Sequence, residues 1–237
     1  MADAKIFGIE LNTINLSVMV FGAFIILVIA FFLMTPDMTK LSVVVSEAPL
    51  EPNVPLQLKQ GEEYTYSEIY HYENASQPVQ TTFRVLGGRD CVLVKGKLAN
   101  QSAAEISGCL DPVTGKTEKI VLTQGEETRE LNGTLGFFQP WMLSIEENWT
   151  WQMNVSKKIE NVGVLETEVW DYAEIGEEKV KGRDTYKVEL NVTGIAGNKV
   201  IDFVRQVIWV DKEKRIIVKA ESDISETELV SAPFPLD

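Results

Sequence analysis

Side chains able to do covalent or acid–base chemistry are few in this chain. There is one histidine, His71, and there are two cysteines, Cys91 and Cys109. A Ser-His-Asp or Cys-His pair needs an imidazole as general base. His71 is the sole candidate, and it stands in YTYSEIYHY, which alternates like a strand, with Tyr70 and Tyr72 on the opposite face. It reads as an exposed or edge-strand residue rather than as a base. Structural zinc needs four ligands at paired spacings, which one His and two Cys do not supply. No Gly-x-Ser-x-Gly, no P-loop, no Gly-x-Gly-x-x-Gly after a strand and no EF-hand loop occurs. With 35 acidic residues, no pair of carboxylates stands out as a glycosidase pair. The expectation is no catalytic residue, no metal ligand, no cofactor and a non-enzymatic role, with an ectoenzyme as the minor alternative.

Two other chemistries are legible. Asn-x-Ser/Thr sequons begin at Asn74, Asn100, Asn132, Asn148, Asn154 and Asn191, with a seventh at Asn15. N-linked sugar is added to secreted surface, so the six outer sequons predict that this part of the chain lies outside the cell. In that compartment an even cysteine count predicts a disulfide between Cys91 and Cys109. A loop of that size would contribute roughly 3 kcal/mol by chain entropy. Two buried free thiols are the alternative.

The elements that must position these groups begin with a membrane segment. Residues 14–34 read INLSVMVFGAFIILVIAFFLM, an apolar run without a charge. As a helix it would be roughly 31 Å long, matching a hydrocarbon core of about 30 Å. A cleavable signal peptide would want a basic n-region, a shorter apolar stretch and a small-x-small site, and none of these is present. The run is expected to be an uncleaved anchor contacting membrane lipid. Lys5 and Lys40 balance each other across it, so orientation rests on the sequons: residues 1–13 inside, the rest outside. Residues 35–60, with Pro36, Pro49, Pro52 and Pro55, are expected to form an extended stalk. The β-rich outer domain is placed at 61–230 and a tail at 231–237. A formal net charge of −13 argues against a nucleic-acid partner and suits a solvated cell surface.

The outer domain reads as mainly β and antiparallel. In 149–156, Trp149, Trp151, Met153 and Val155 alternate with Thr150, Gln152, Asn154 and Ser156, which is the period of a half-buried strand. Tyr186, Val188, Leu190 and Val192 alternate in the same way with Lys187, Glu189 and Asn191. Asn148, Asn154 and Asn191 thus fall on polar faces. Helix is poorly supported; its best stretch is Phe137–Glu147, interrupted by Pro140. Cys109-Leu110-Asp111 matches Trp209-Val210-Asp211, and Ser67–Tyr72 matches Thr167–Tyr172, each one hundred positions apart. Thr82–Val85 matches Thr185–Val188 at nearly that offset. Two related halves, 61–131 and 145–230, are expected. The aromatic side chains Trp149, Trp151, Trp170, Tyr186 and Trp209 could line an apolar cleft, or more simply form core.

The order WTW, then TYKVELNV, then VIWVDKEKRIIVKAE over 145–222 resembles the lipoprotein-carrier superfamily (LolA- and LppX-like folds). The resemblance covers 61–125 faintly. It implies a curved, half-open antiparallel sheet around an apolar cavity at a cell envelope, and hence an apolar ligand. The chain departs from the carriers in its anchor, its sequons and its lack of lid helices. Phe7-Gly8-Ile9-Glu10 resembles a type IV pilin-like leader, with the basic run missing. The expected role is an anchored archaeal or eukaryotic surface protein that binds a ligand or an envelope partner. A structural subunit of a surface filament or membrane complex is the alternative.

Overall fold

The computed structural model describes residues 5–6, 9–10, 41–71, 78–98, 104–131, 134–159, 163–197 and 199–237. The expected anchor at 14–34 and the sequons at Asn15, Asn74, Asn100 and Asn132 lie outside the described residues. Among the described residues no helix is long and apolar enough to cross a membrane.

The described chain forms two units. The smaller takes Met1–Val43 and Lys157–Leu165. It holds a two-stranded ladder, β1 (Lys5–Ile6) against β2 (Ile9–Glu10), with Lys5 opposite Glu10. The larger takes Val44–Ser156 and Glu166–Asp237 and contains the core.

The remaining strands are β3 (Leu41–Glu47), β4 (Glu63–Tyr70), β5 (Val79–Gly87), β6 (Val92–Leu98), β7 (Ala104–Leu110), β8 (Thr117–Gln124) and β9 (Glu127–Leu131). Then come β10 (Thr150–Ile159), β11 (Gly163–Val180), β12 (Arg183–Ala196), β13 (Lys199–Asp211), β14 (Ile217–Ser222) and β15 (Ser225–Ser231). Their hydrogen-bonded order is β3-β10-β11-β12-β13-β14-β15-β4-β5-β6-β7-β8-β9. Two runs of six strands, β4–β9 and β10–β15, therefore each follow chain order. They are joined where β15 lies antiparallel to β4, with Ser225 opposite Tyr70 and Leu229 opposite Tyr66.

The period-2 pattern explains which face is buried. On β4 Tyr64 and Tyr66 are inside, on β5 Phe83 and Val85, on β12 Val188 and Leu190, and on β13 Ile208 and Val210. Gly96 on β6 is required by this packing: a Cβ there would lie 2.8 Å from the Phe83 ring and 2.7 Å from Ile106 Cγ2. The disulfide joins Cys91, just before β6, to Cys109 on β7, with Cα atoms 5.6 Å apart.

Three segments outside the strands differ from expectation. Phe137–Glu147 contributes only a 3-10 helix, Pro140–Ser144, because Pro140 occupies its first turn and lacks an N–H. The surrounding stretch is nonetheless the centre of the core: Leu135, Phe137, Phe138, Trp141, Met142, Leu143 and Ile145 are all buried. Of the expected stalk, 35–60, the part 48–60 that follows β3 belongs to the larger unit. Leu58 is buried, Leu50, Val54 and Leu56 pack on the core, and Asn53 donates its amide N–H to Leu143 O and Nδ2 to Ile145 O. The tail 231–237 is likewise tied down. Phe234 and Leu236 pack on the core, and the Arg183 guanidinium sits 4.4 Å from the centre of the Phe234 ring.

Candidate functional site

The face implied by the carrier resemblance to line an open apolar cavity is covered. Phe137 packs against Phe83 (4.6 Å between ring centres), Tyr64 and Tyr66 from one run of strands. Trp141 packs against Tyr172 of the other run and against Trp149, just before β10. The Phe137 carbonyl accepts a hydrogen bond from Ile217 N–H. Residues 135–145 thus fill the core against both runs of strands. Sequence periodicity missed them because an irregular, wholly buried stretch has no period to read.

The five aromatics singled out from the sequence do not converge on one cleft. Trp151 is buried against Tyr172 and donates its indole N–H to Ala48 O. Trp170 and Tyr186 are half-buried at the core margin, Trp170 donating to Glu168 Oε2. Tyr186 lies under Lys212 and Arg215. Trp209 is buried outside the core cluster, between the ammonium groups of Lys187 and Lys219, and donates to Glu178 Oε2. That hydrogen bond, followed by one from Lys187, holds the Glu178 carboxyl below its usual range. Trp149 stands apart. It is half-buried and stacked on Trp141, and its indole N–H has no acceptor among the described residues.

A polar belt lies between β12, the turn after β13 and the start of β4. Arg183 makes a two-pronged pair with the wholly buried Asp211 (Nε to Oδ2, 2.6 Å; Nη2 to Oδ1, 3.2 Å) and reaches Glu213. Lys214 donates to Glu62 Oε1 and to Gln57 O. Tyr64 donates to the other Glu62 oxygen. Burial alone would raise the Glu62 carboxyl, but hydrogen bonds from Lys214, the Lys59 amide and Tyr64 outweigh it and hold it below its ordinary value. Burial and the Glu62 charge push the Tyr64 phenol well up. Arg215 is buried, donates Nη1 to Met142 O and Ile145 O, and is drawn down from the ordinary guanidinium value by desolvation. Each ionic group but Arg215 has a charged partner, so the belt fits structural cross-linking of distant segments. Arg215 Nε, Ser144 Oγ and Tyr172 OH are buried without a hydrogen-bond partner among the described residues.

The sheet ends in two unlike edges. At one, β9 shows exposed Glu127, Thr128, Arg129 and Glu130, with Arg129 paired to Glu127 and Lys119 of β8 paired to Glu130. Such charges protect an edge from further pairing. At the other, β3 reads LSVVVSE, and within the larger unit Val44 and Val45 are 45% and 54% exposed. Successive strand residues point to opposite faces, so β3 is uncovered on both.

Beside Trp149 lies an open pocket of about 470 Å³, lined by Ala48–Asn53, Ser144, Glu146 and Trp149–Trp151. The neighbouring Asn148 is exposed, sits at φ 62° and, among the described residues, engages Glu174 Oε2 through its backbone N–H and nothing through its side chain. Of the other described sequons, Asn154 is half-buried and Asn191 has its Nδ2 engaged by Glu189. His71 is exposed, with its backbone N–H on Ile224 O. Among the described residues no group of three His, Cys, Asp or Glu could hold a metal.

No protein-family model matches the chain, and no curated protein matches it in sequence. Among solved structures, a protein described as exported, with a YmcC-like fold, from Bacteroides fragilis is similar over 76% of this chain and 99% of its own, at 10% identity and a TM-score of 0.35. A protein described as a lipoprotein, from Parabacteroides distasonis, is similar over 75% of this chain and 97% of its own, at 10% identity and a TM-score of 0.37.

Proposed function

We propose that this chain is a non-enzymatic surface protein, anchored by residues 14–34 with its bulk outside the cell, and that it works as an assembled subunit by pairing β3 with β3 of a second copy. The observation that carries this reading is the β3 edge. An apolar strand exposed on both faces at the end of a sheet is a template for another strand. The opposite edge, charged and ion-paired, is not. The sequence of β3 suits a copy of itself. Ser42-Val43-Val44-Val45-Ser46 is symmetric about Val44. Antiparallel pairing on a two-fold axis through Val44 sets Val44 opposite Val44, Val43 opposite Val45 and Ser42 opposite Ser46. Such valine pairs contribute roughly 0.2–1 kcal/mol each. Anchoring in one membrane concentrates the copies. The filled core at 135–145 weighs against the alternative of an apolar cargo. The two six-strand runs are read as diverged copies of one unit, supported by turns that repeat at an offset of one hundred residues.

The test is native mass spectrometry of the full chain in lipid nanodiscs. A dimer should form, and the double variant Val44→Lys, Val45→Lys should give monomer with unchanged circular dichroism. A wild-type monomer, or a dimer indifferent to both lysines, would sink the reading.

A further inference from the structure

We propose that the pocket beside Trp149 is a saccharide-binding site. Trp149 supplies the first reason. The chain has five tryptophans. Four of them spend their indole N–H on a protein acceptor: Trp141 on Gln139, Trp151 on Ala48, Trp170 on Glu168 and Trp209 on Glu178. The fifth, Trp149, has no acceptor for its donor among the described residues and lines the pocket. Its ring is held in place by stacking on Trp141, with centres 5.6 Å apart and planes within 19°. A fixed indole is a platform for the C–H face of a pyranose, and its orientation costs nothing on binding.

The second reason is the polar rim. Glu51 and Glu146 line the same pocket, and neither side chain has a partner among the described residues. Two unpaired carboxylates beside an aromatic ring also suit a cation. The free indole N–H decides between the two. A lysine or arginine side chain only donates hydrogen bonds, so it would leave that N–H unmet. A sugar hydroxyl accepts from the indole and donates to a carboxylate at once. A neutral polyol meets both the indole N–H and the carboxylates, whereas a cation meets the carboxylates alone.

The third reason is position. Asn148, the acceptor of the sequon Asn148-Trp149-Thr150, directly precedes the platform. Its side-chain nitrogen is unengaged among the described residues, whereas that of Asn191 is not. The same chemistry therefore has two sources: the first sugars attached to Asn148 itself, or a saccharide from elsewhere on the cell surface.

The test uses the full chain in nanodiscs, ¹⁵N-labelled and made in a host that adds no N-glycan. Glucose, mannose, galactose, N-acetylglucosamine and chitobiose are titrated while the Trp149 indole N–H signal is followed. At least one sugar should shift it, with Kd on the order of 1 mM. Trp149→Phe keeps the ring and loses the donor, and should weaken binding about tenfold. The double variant Glu51→Gln, Glu146→Gln keeps the hydrogen-bonding shape and should retain the sugar. Arginine methyl ester is the cationic control. No shift with any of the five sugars, binding indifferent to Trp149→Phe, or arginine bound in preference and lost in the Gln variant overturns the proposal. Protein from a glycosylating host separates the sources. If the Asn148 glycan is the occupant, added sugar binds only after Asn148→Gln; if not, wild type and variant bind it alike.

Discussion

The turns Asp111–Lys116 and Asp211–Ile216 share a backbone and little else. In each, the Asp N–H donates five residues ahead, to Lys116 O or Ile216 O, and the residue four ahead, Gly115 or Arg215, donates back to the Asp carbonyl. In each, the Asp Oδ1 accepts from the two amides that follow next but one: Val113 and Thr114, or Glu213 and Lys214. Each is preceded by a register shift at the corresponding pair, Cys109/Leu110 or Trp209/Val210. Both put the same position into the left-handed region, Gly115 at φ 67° and Arg215 at φ 58°. The surroundings differ. Asp211 is wholly buried and bound by Arg183, while Asp111 is half-exposed and, among the described residues, accepts otherwise only from the Thr114 hydroxyl. The carboxylate cap makes the turn; what the turn is for depends on what folds against it.

The largest difference should come from removing the two caps. Asp211→Ala also takes from Arg183 its two-pronged buried partner, leaving Glu213 alone, and should cost about 3 kcal/mol in urea unfolding of the solubilised chain. Asp111→Ala breaks the same turn hydrogen bonds with no ion pair to lose, so its shift should be clearly smaller. Equal losses would show that the belt contributes nothing. The next effect runs the other way. At Gly115 a Cβ would stand 2.7 Å from Phe138 Cζ, whereas the second turn already accepts Arg215. Gly115→Ala should therefore destabilise by about 1–3 kcal/mol.

Acid should separate the turns next. Asp111 is held below its ordinary value chiefly by the Thr114 amide, and Glu62 by the hydrogen bonds that outweigh its burial. Both folded values lie below the unfolded ones. The stabilisation is therefore complete above about pH 4.5 and is lost as pH falls through the folded values. Lys214→Met should remove the Glu62 share of this acid limb, whereas Thr114→Val should leave it intact; stability measured from neutral pH to pH 3 tests both. The smallest effect is that of Thr114→Val itself, which deletes one solvent-screened hydroxyl-to-carboxylate hydrogen bond and should lower the urea midpoint only slightly at neutral pH.

Much of this comparison is legible in the order of residues. The matched Asp turns are local, so Cys109-Leu110-Asp111 and Trp209-Val210-Asp211 announce themselves. The alternation Tyr186, Val188, Leu190, Val192 gives a strand and its inner face. Residues that bind across the chain are not legible in this way. Pro49, Pro52 and Pro55 suggest a free stalk, but Asn53 finds the carbonyls of Leu143 and Ile145 about ninety positions away. Trp149 and Trp151, two apart on one face, look equivalent, yet Trp151 donates its indole N–H to Ala48 O while that of Trp149 has no acceptor among the described residues.

The sequence by itself determined the period-2 strands and the Asp-capped turns, because each is decided by neighbours within a few residues. It also supplied the pair of cysteines and the apolar run at 14–34. Tertiary structure alone decided that residues 135–145 fill the core, that Asp211 is buried and paired while Asp111 is not, that the valines of β3 are exposed, and that the Trp149 indole N–H has no acceptor among the described residues. Those outcomes depend on which surfaces meet after the chain has closed loops of seventy to one hundred and fifty residues, from Ile145 to Arg215 and from Tyr66 to Ile217. No local pattern encodes such a meeting.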